Sequence, residues 1–211
     1  MATFYPSITD EQAALIRSAA MFFVATADPQ LAPGRDGAGP VNVSPRGGTP
    51  LHILAPNHVA FLDYVGSGNE TARHSHAGGP ITVMVCSFEE GEAAIVRLYG
   101  RARVTPLADS PLTETLLKTA AQELKASPRQ VIEVEVERTM TSCGYGVPVM
   151  ERVRERRVAD RGRRYKETHS SNKKADTALL GCILPREPIR VTATRCQHAL
   201  GLHAVHEREQ G

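Results

Sequence analysis

The chain has 211 residues, 41% of them hydrophobic, and a formal net charge of +2. Such a chain is one globular domain, with or without appendages, and has apolar residues enough to bury a core. The near-balanced charge argues against a general polyanion binder, and no apolar run approaches the ~20 residues of a membrane-spanning helix, so no membrane partner is expected.

The opening MATFYPSITDEQ lacks the basic-then-apolar pattern of a secretion signal, and Cys86, Cys143, Cys182 and Cys196 are widely spaced with no CxxC pair. Reduced thiols and a cytoplasmic location are the expectation. Thr9, with Gln12 three residues on, predicts a capped helix over 10–20 whose apolar side carries Ala14, Leu15, Ile16 and Ala19. Residues 21–27 switch to strand character, and the Pro- and Gly-rich stretch 28–40 is a loop. In 41–47, Val41 and Val43 alternate with polar positions as in a half-buried strand. Arg46 closes that strand, either as an ordinary surface arginine or as a guanidinium clamp for a phosphate or carboxylate. Residues 49–55 and 58–64 read as strands joined by the turn Pro56-Asn57, a spacing that suits a barrel better than a parallel α/β sheet.

The stretch 58–104 organises the rest. Gly66 and Gly68 interrupt strand periodicity where polar residues crowd together, and Ser67, Asn69 and Thr71 stand where the backbone leaves a strand for a helix. Two readings stay open: a plain cap loop, or an anion site built on free amides and the positive end of a helix, with phosphate the usual occupant. Ile81 to Val85 is an aliphatic strand that makes Cys86 a small core residue. An acidic turn leads to a long strand over 95–104, and 111–126 carries Leu112, Leu116, Leu117, Ala120 and Leu124 at helical spacing behind Ser110.

Over 130–140 Val131, Glu133, Glu135 and Glu137 alternate with Ile132, Val134 and Val136, so the glutamates read as a solvated strand face rather than acid–base groups. Cys143 is the more exposed thiol of its region, and Tyr145 either stacks near a ligand or sits half-buried in a loop. Residues 150–166 form an arginine-rich helix interleaved with Glu151, Glu155 and Asp160. Nucleic-acid binding through it is the rival function, but ion-paired solvation is favoured and there is no tryptophan platform. Residues 170–176 are polar, 177–184 recover apolar character and 189–194 suit an edge strand. His74, His76, His198, His203 and His206 lack an acidic or thiol partner at ligand spacing, so they read as residues of a solvated turn and tail and no metal is expected.

VNVSPRG, FLDYVGSGNETARH, ITVMVCSF and IVRLYGRARV, in this order and at these separations, resemble the pyridoxamine 5'-phosphate oxidase-like proteins, the flavin-binding split-barrel group. With TSCGYGVPVME the resemblance is to a bacterial subgroup described only as pyridoxamine 5'-phosphate oxidase family proteins, and it covers residues 4–184. It implies a mainly β fold with flanking helices, a flavin domain over 1–185 with a C-terminal extension at 186–211, and a homodimer of split β-barrels holding FMN between the chains. Carried onto this chain, the phosphate falls to Ser44, Arg46, Ser67, Asn69 and Thr71. The isoalloxazine edge falls along the backbones of Val41, Asn42, Val43 and Ser44 and of Leu62, Asp63 and Tyr64, with Arg97 or Arg101 reaching in from the partner.

Three departures bear on substrate. The family's R-x-V-L-L-K-G run is Val41-Asn42-Val43-Ser44-Pro45-Arg46-Gly47 here, its adjacent basic pair at the turn falls on Gly68 and Asn69, and its tryptophan-containing C-terminal signature is missing. The expectation is an FMN-dependent oxidoreductase for a small molecule other than pyridoxamine phosphate, with NADH or NADPH as possible hydride donor and no catalytic residue identified. The alternative is a non-catalytic protein that stores or senses flavin or haem on the same barrel.

Overall fold

A computed structural model describes residues 2–34, 38–66, 68–120 and 127–155. Its elements are β1 (Thr3–Tyr5), α1 (Asp10–Ser18), β2 (Met21–Ala27), β3 (Val41–Gly47), β4 (His52–Ala55), β5 (His58–Tyr64), α2 (Glu70–His76), β6 (Pro80–Cys86), β7 (Ala94–Pro106), α3 (Thr113–Lys118) and β8 (Pro128–Cys143). The strands form one antiparallel sheet in the order β3-β2-β6-β7-β8-β5-β4, with β1 added to the far end of β8. The fold is therefore mainly β with flanking helices, as the resemblance implies, and antiparallel rather than parallel α/β, in keeping with the spacing of the short strands.

The sheet closes on itself. Four strand steps separate β2 from β5, which in a flat sheet is roughly 19 Å at the usual spacing. Yet the rings of Phe22 and Phe61 lie 5.1 Å apart, edge to face. One core joins Val24, Ile81, Val83, Val96, Leu98, Val134 and both phenylalanines, contributed by five strands. A second, smaller core of Ala60, Leu62, Leu116 and Val131 lies on the other face of β5 and β8, where α3 packs. The long β7–β8 ladder bends at a bulge between Tyr99 and Gly100, where any side chain on Gly100 would run into the carbonyl of Glu135.

α1 starts at the capping box read from the sequence: the Gln12 amide donates to Thr9 Oγ1, and the Thr9 amide to Gln12 Oε1. Its buried side is nevertheless Gln12, Ala13 and Ile16, while Ala14 is exposed. The cause is polar. Gln12 Oε1 accepts from Thr139 Oγ1 at 2.9 Å and its Nε2 donates to Thr141 Oγ1 at 2.9 Å, which pins that face to β8.

Other expectations are corrected. Val41 and Val43 alternate with polar neighbours but point outward, 59% and 65% exposed, because the register with β2 sets Ser44 opposite the core residue Val24. α3 is shorter than predicted and leaves Leu117 exposed; Leu124 lies outside the described residues. Residues 150–155 are not helical, and the remainder of the arginine-rich segment, Cys182, Cys196, the tail histidines and the 185/186 boundary lie outside the described residues. Cys86 is buried, as read, and that burial pushes the thiol pKa up, with the Arg97 charge opposing.

His74 is buried in α2 instead of lying on a solvated turn. Its Nε2 lies 2.9 Å from Arg73 Nη2, which can only donate, so the ring is neutral with its hydrogen on Nδ1, donated to Thr26 Oγ1 at 2.9 Å. Burial first, then the Arg73 charge, pull its pKa below the ordinary 6.5, with Asp28 and Glu70 opposing. A histidine whose folded pKa is depressed binds its proton more readily when unfolded. Its contribution is therefore complete above about pH 6.5 and is lost as pH falls below that value. Denaturant titrations at pH 7.5 and 5.5 are expected to show lower stability at pH 5.5, with a smaller difference in His74→Gln.

Candidate functional site at the barrel seam

Among the described residues there is no ladder between β3 and β5, the strands that meet where the sheet closes. β3 pairs only with β2, and β4 leaves β5 after Ala60, so Leu62–Tyr64 have a strand partner on the β8 side alone. Two backbone edges thus stand unpaired at a seam, and such edges are donors and acceptors in search of partners. Side chains span the gap instead.

Strand alternation puts Phe61 and Asp63 on one face of β5 and Leu62 and Tyr64 on the other, against α3. Asp63 is wholly buried at the end of an apolar run, and a carboxylate there must be paired. Its Oδ1 accepts from Arg46 Nη1 at 2.5 Å; its Oδ2 accepts from Arg129 Nε and from Gln130 Nε2, each at 2.7 Å. Arg46 Nη2 also donates to the buried Thr71 Oγ1 at 3.3 Å, and Arg129 Nη2 to the Gly68 carbonyl at 3.0 Å. Gln130 Nε2 reaches Asn69 Oδ1 at 3.0 Å. Two guanidinium charges against the one carboxylate they share leave this trio cationic, while the Glu70 carboxylate beside Gly68 opposes that charge.

One donor stays unused. Arg46 Nε is buried without a partner among the described residues, an arrangement that costs on the order of 1–3 kcal/mol unless something else accepts from it. The Tyr64 hydroxyl, beside Thr49, also lacks a hydrogen bond of normal geometry, and burial pushes its pKa up.

Of the residues singled out from the sequence, Arg46, Asp63, Asn69 and Thr71 meet here, with Asn42 and Ser44 half-buried on the same face of β3 and joined at 3.3 Å. Val41 and Val43 face away, Leu62 is buried in the second core, and Ser67 lies outside the described residues. Asn69 precedes α2 but makes no side-chain cap, because Gln130 takes its oxygen. α2 is a seven-residue helix with Glu70 in its first turn, so side chains, not a helix end, supply the positive charge. Arg97 and Arg101 sit on β7, two strands beyond β2; the first donates to Ser142 Oγ at 3.0 Å, the second to the Gly78 carbonyl and to Glu137 at 3.6 Å. Within one chain they do not join the cluster.

Arg129 and Gln130 are missing from the sequence reading. The available signal was Asp63 itself: a charge inside the run Phe61 to Tyr64 demands cations, and a basic residue opening the strand that pairs with β5 is the first place to look. Glu133 carries the same lesson. It is buried, paired with Arg103 at 2.7 Å and His58 at 3.2 Å, whereas Glu135 and Glu137 are solvated as the alternation predicts. Tyr145 is 88% exposed, not half-buried. Open clefts of about 660, 430 and 630 Å³ lie elsewhere, beside α1, beside Cys86 and beside Glu133. None of them is lined by Arg46 or Asp63. Among the described residues no group of His, Cys, Asp and Glu is placed to hold a metal ion, and no helix is long and apolar enough to cross a membrane.

The family model for pyridoxamine 5'-phosphate oxidase matches residues 8–143, from just before α1 to the end of β8. A pyridoxamine 5'-phosphate oxidase family protein of Aspergillus flavus, ustO, is 33% identical over 153 residues, which are 72% of this chain and 58% of that protein. The chain thus spans little more than half the length of this curated relative. Among solved structures, HupZ of Group A Streptococcus is 21% identical, with 63% of this chain and 91% of that chain covered and a TM-score of 0.48. HutZ of Vibrio cholerae, described as a heme storage protein, is 16% identical over 66% of this chain and 98% of its own, with a TM-score of 0.42.

Proposed function

The chain belongs to the pyridoxamine 5'-phosphate oxidase family, and on that premise we propose that it is an FMN-dependent oxidoreductase for a small molecule other than pyridoxamine phosphate. The observation that carries this reading is the seam: among the described residues, two backbone edges without a strand partner flank a cluster of two arginines in which one buried arginine N–H has no partner. The residues there fit FMN. Arg46 would hold the phosphate with Thr71, Asn69 and Ser44, while the free edges of β3 and β5 offer amides and carbonyls to the ring. FMN, when bound, supplies the two-electron chemistry, accepting hydride from a donor such as NADH or NADPH. The protein's part is to bind and orient the cofactor, exclude water and set the local charge.

The working form in this proposal is a homodimer with the flavin between protomers. Its support is an apolar outer face: Val41, Val43 and Pro45 on β3 stand beside Ala27, Ala25 and Phe23 on β2, and the row continues through Met84 on β6. Exposed valines on a strand face are a marked cost for a monomer and a usual feature of an obligate interface. Val43→Asp is expected to shift the protein toward monomer in analytical ultracentrifugation, and to lower FMN affinity with it. A cytoplasmic location stays part of the proposal.

The test is an absorbance scan of the purified protein before and after FMN is added and the excess dialysed away, followed by anaerobic addition of NADH or NADPH. Retained flavin bands that bleach with a nicotinamide donor are expected. A protein that takes up no FMN overturns the reading, and one that binds FMN without being reduced by any donor favours storage or sensing instead.

A further inference from the structure

We propose that Arg129 is the second cation of the phosphate site and that Asp63 is the positioning residue for both arginines; this rests on the flavin reading above. The turn at Gly68 and Asn69 has no cation of its own. Arg129 supplies one from another strand. Its Nη2 bonds the carbonyl of Gly68 at 3.0 Å, which sets a guanidinium against that turn.

Asp63 fixes the arrangement. Its Oδ1 takes Arg46 and its Oδ2 takes Arg129, so one buried carboxylate holds the two guanidinium groups side by side. Left unpaired, such neighbours repel; with a single counter-charge they keep an excess positive charge suited to a phosphate monoester dianion. Gln130 bonds both Asp63 Oδ2 and Asn69 Oδ1, which leaves the Asn69 amide N–H₂ as a further donor. Thr71 Oγ1 accepts from Arg46, which brings a hydroxyl to the same cluster. Against this stands the Glu70 carboxylate, folded over Gly68 where a side chain would otherwise lie. It opposes any anion, and its removal tightens binding in this scheme.

The experiment compares FMN with riboflavin, which lacks the phosphate, by fluorescence titration of the wild-type protein and of Arg129→Ala, Arg129→Lys, Asp63→Asn and Glu70→Gln. The expected result is a wild-type preference for FMN, a loss of roughly tenfold or more in FMN affinity in Arg129→Ala with riboflavin unchanged, and partial recovery in Arg129→Lys. Asp63→Asn is expected to lose the preference although it adds net positive charge, because position rather than charge is what it supplies. Glu70→Gln is expected to bind FMN more tightly. Riboflavin affinity reports on folding in each variant. Equal wild-type affinity for the two flavins overturns the clamp and leaves the flavin reading intact, whereas binding of neither removes both. Unchanged FMN affinity in Arg129→Ala overturns the assignment of Arg129, and tighter FMN binding by Asp63→Asn overturns the positioning role.

Discussion

Phe61→Ala is expected to destabilise the protein by about 3–5 kcal/mol, the range for truncating a fully buried phenylalanine. The side chain is wholly buried and its ring meets that of Phe22 edge to face, a geometry that adds to simple burial. More than volume is lost, because this contact joins β2 to β5 across the closing side of the barrel, where no ladder does so. Neighbouring strands are held by hydrogen bonds that survive the truncation; across the seam the described contacts are made by side chains. Urea titration followed by circular dichroism measures the cost. Phe4→Ala is the control, since Phe4 is 55% exposed and is expected to change stability by less than about 1 kcal/mol. A Phe61→Ala cost as small as the control would mean that the barrel does not close through this pair.

Much of the fold was legible because it is written in local patterns. The turn Pro56-Asn57, the capping box of Thr9 and Gln12 and the aliphatic run Ile81 to Val85 each signal their own structure. What local pattern cannot supply is which face of an alternating strand turns inward. Val41 and Val43 looked like the buried side of β3, and the register with β2 sends Asn42, Ser44 and Arg46 inward instead. The apolar face is then spent on the outside, where the proposed partner chain would cover it. Helix ends were overextended for a related reason: the leucine spacing over 111–126 says what an amphipathic helix would look like, not how far α3 runs.

The candidate site was half legible. Arg46, Asn69 and Thr71 lie close in the fold and stand out in the sequence as a strand-end guanidinium and a polar strand-to-helix turn, but the partner that organises them is far away in sequence. Arg129 and Gln130 open β8, 66 and 67 positions from Asp63, and only the β5–β8 pairing brings them together. The one residue that pointed to them was Asp63, whose burial obliges a counter-charge. A carboxylate inside an apolar strand is a stronger pointer to a site than a polar loop, because a loop satisfies itself with water and a buried charge cannot.

Arg46→Ala is expected to weaken FMN binding by roughly 1.5–3 kcal/mol, about ten- to more than a hundredfold, the range for losing a charged hydrogen-bond partner. Every nitrogen of the Arg46 guanidinium bears on the seam: Nη1 is committed to Asp63, Nη2 to Thr71, and Nε is buried without a partner among the described residues. A phosphate oxygen accepting from Nε would satisfy that donor. Removing Arg46 also strips Asp63 of one of its two cations, so stability falls alongside affinity, and the two effects must be separated. Titration with riboflavin separates them. An effect through the phosphate leaves riboflavin affinity where it was, whereas a seam that has sprung open lowers both. Arg152, which pairs with Glu155 at 2.6 Å and lies outside the Asp63 cluster, supplies the charge control, since Arg152→Ala lowers the net charge equally and is expected to leave FMN affinity unchanged. If Arg46→Ala binds FMN as the wild type does, the phosphate is not at the seam, and the unpaired N–H of Arg46 belongs to the structural lock between β3 and β5.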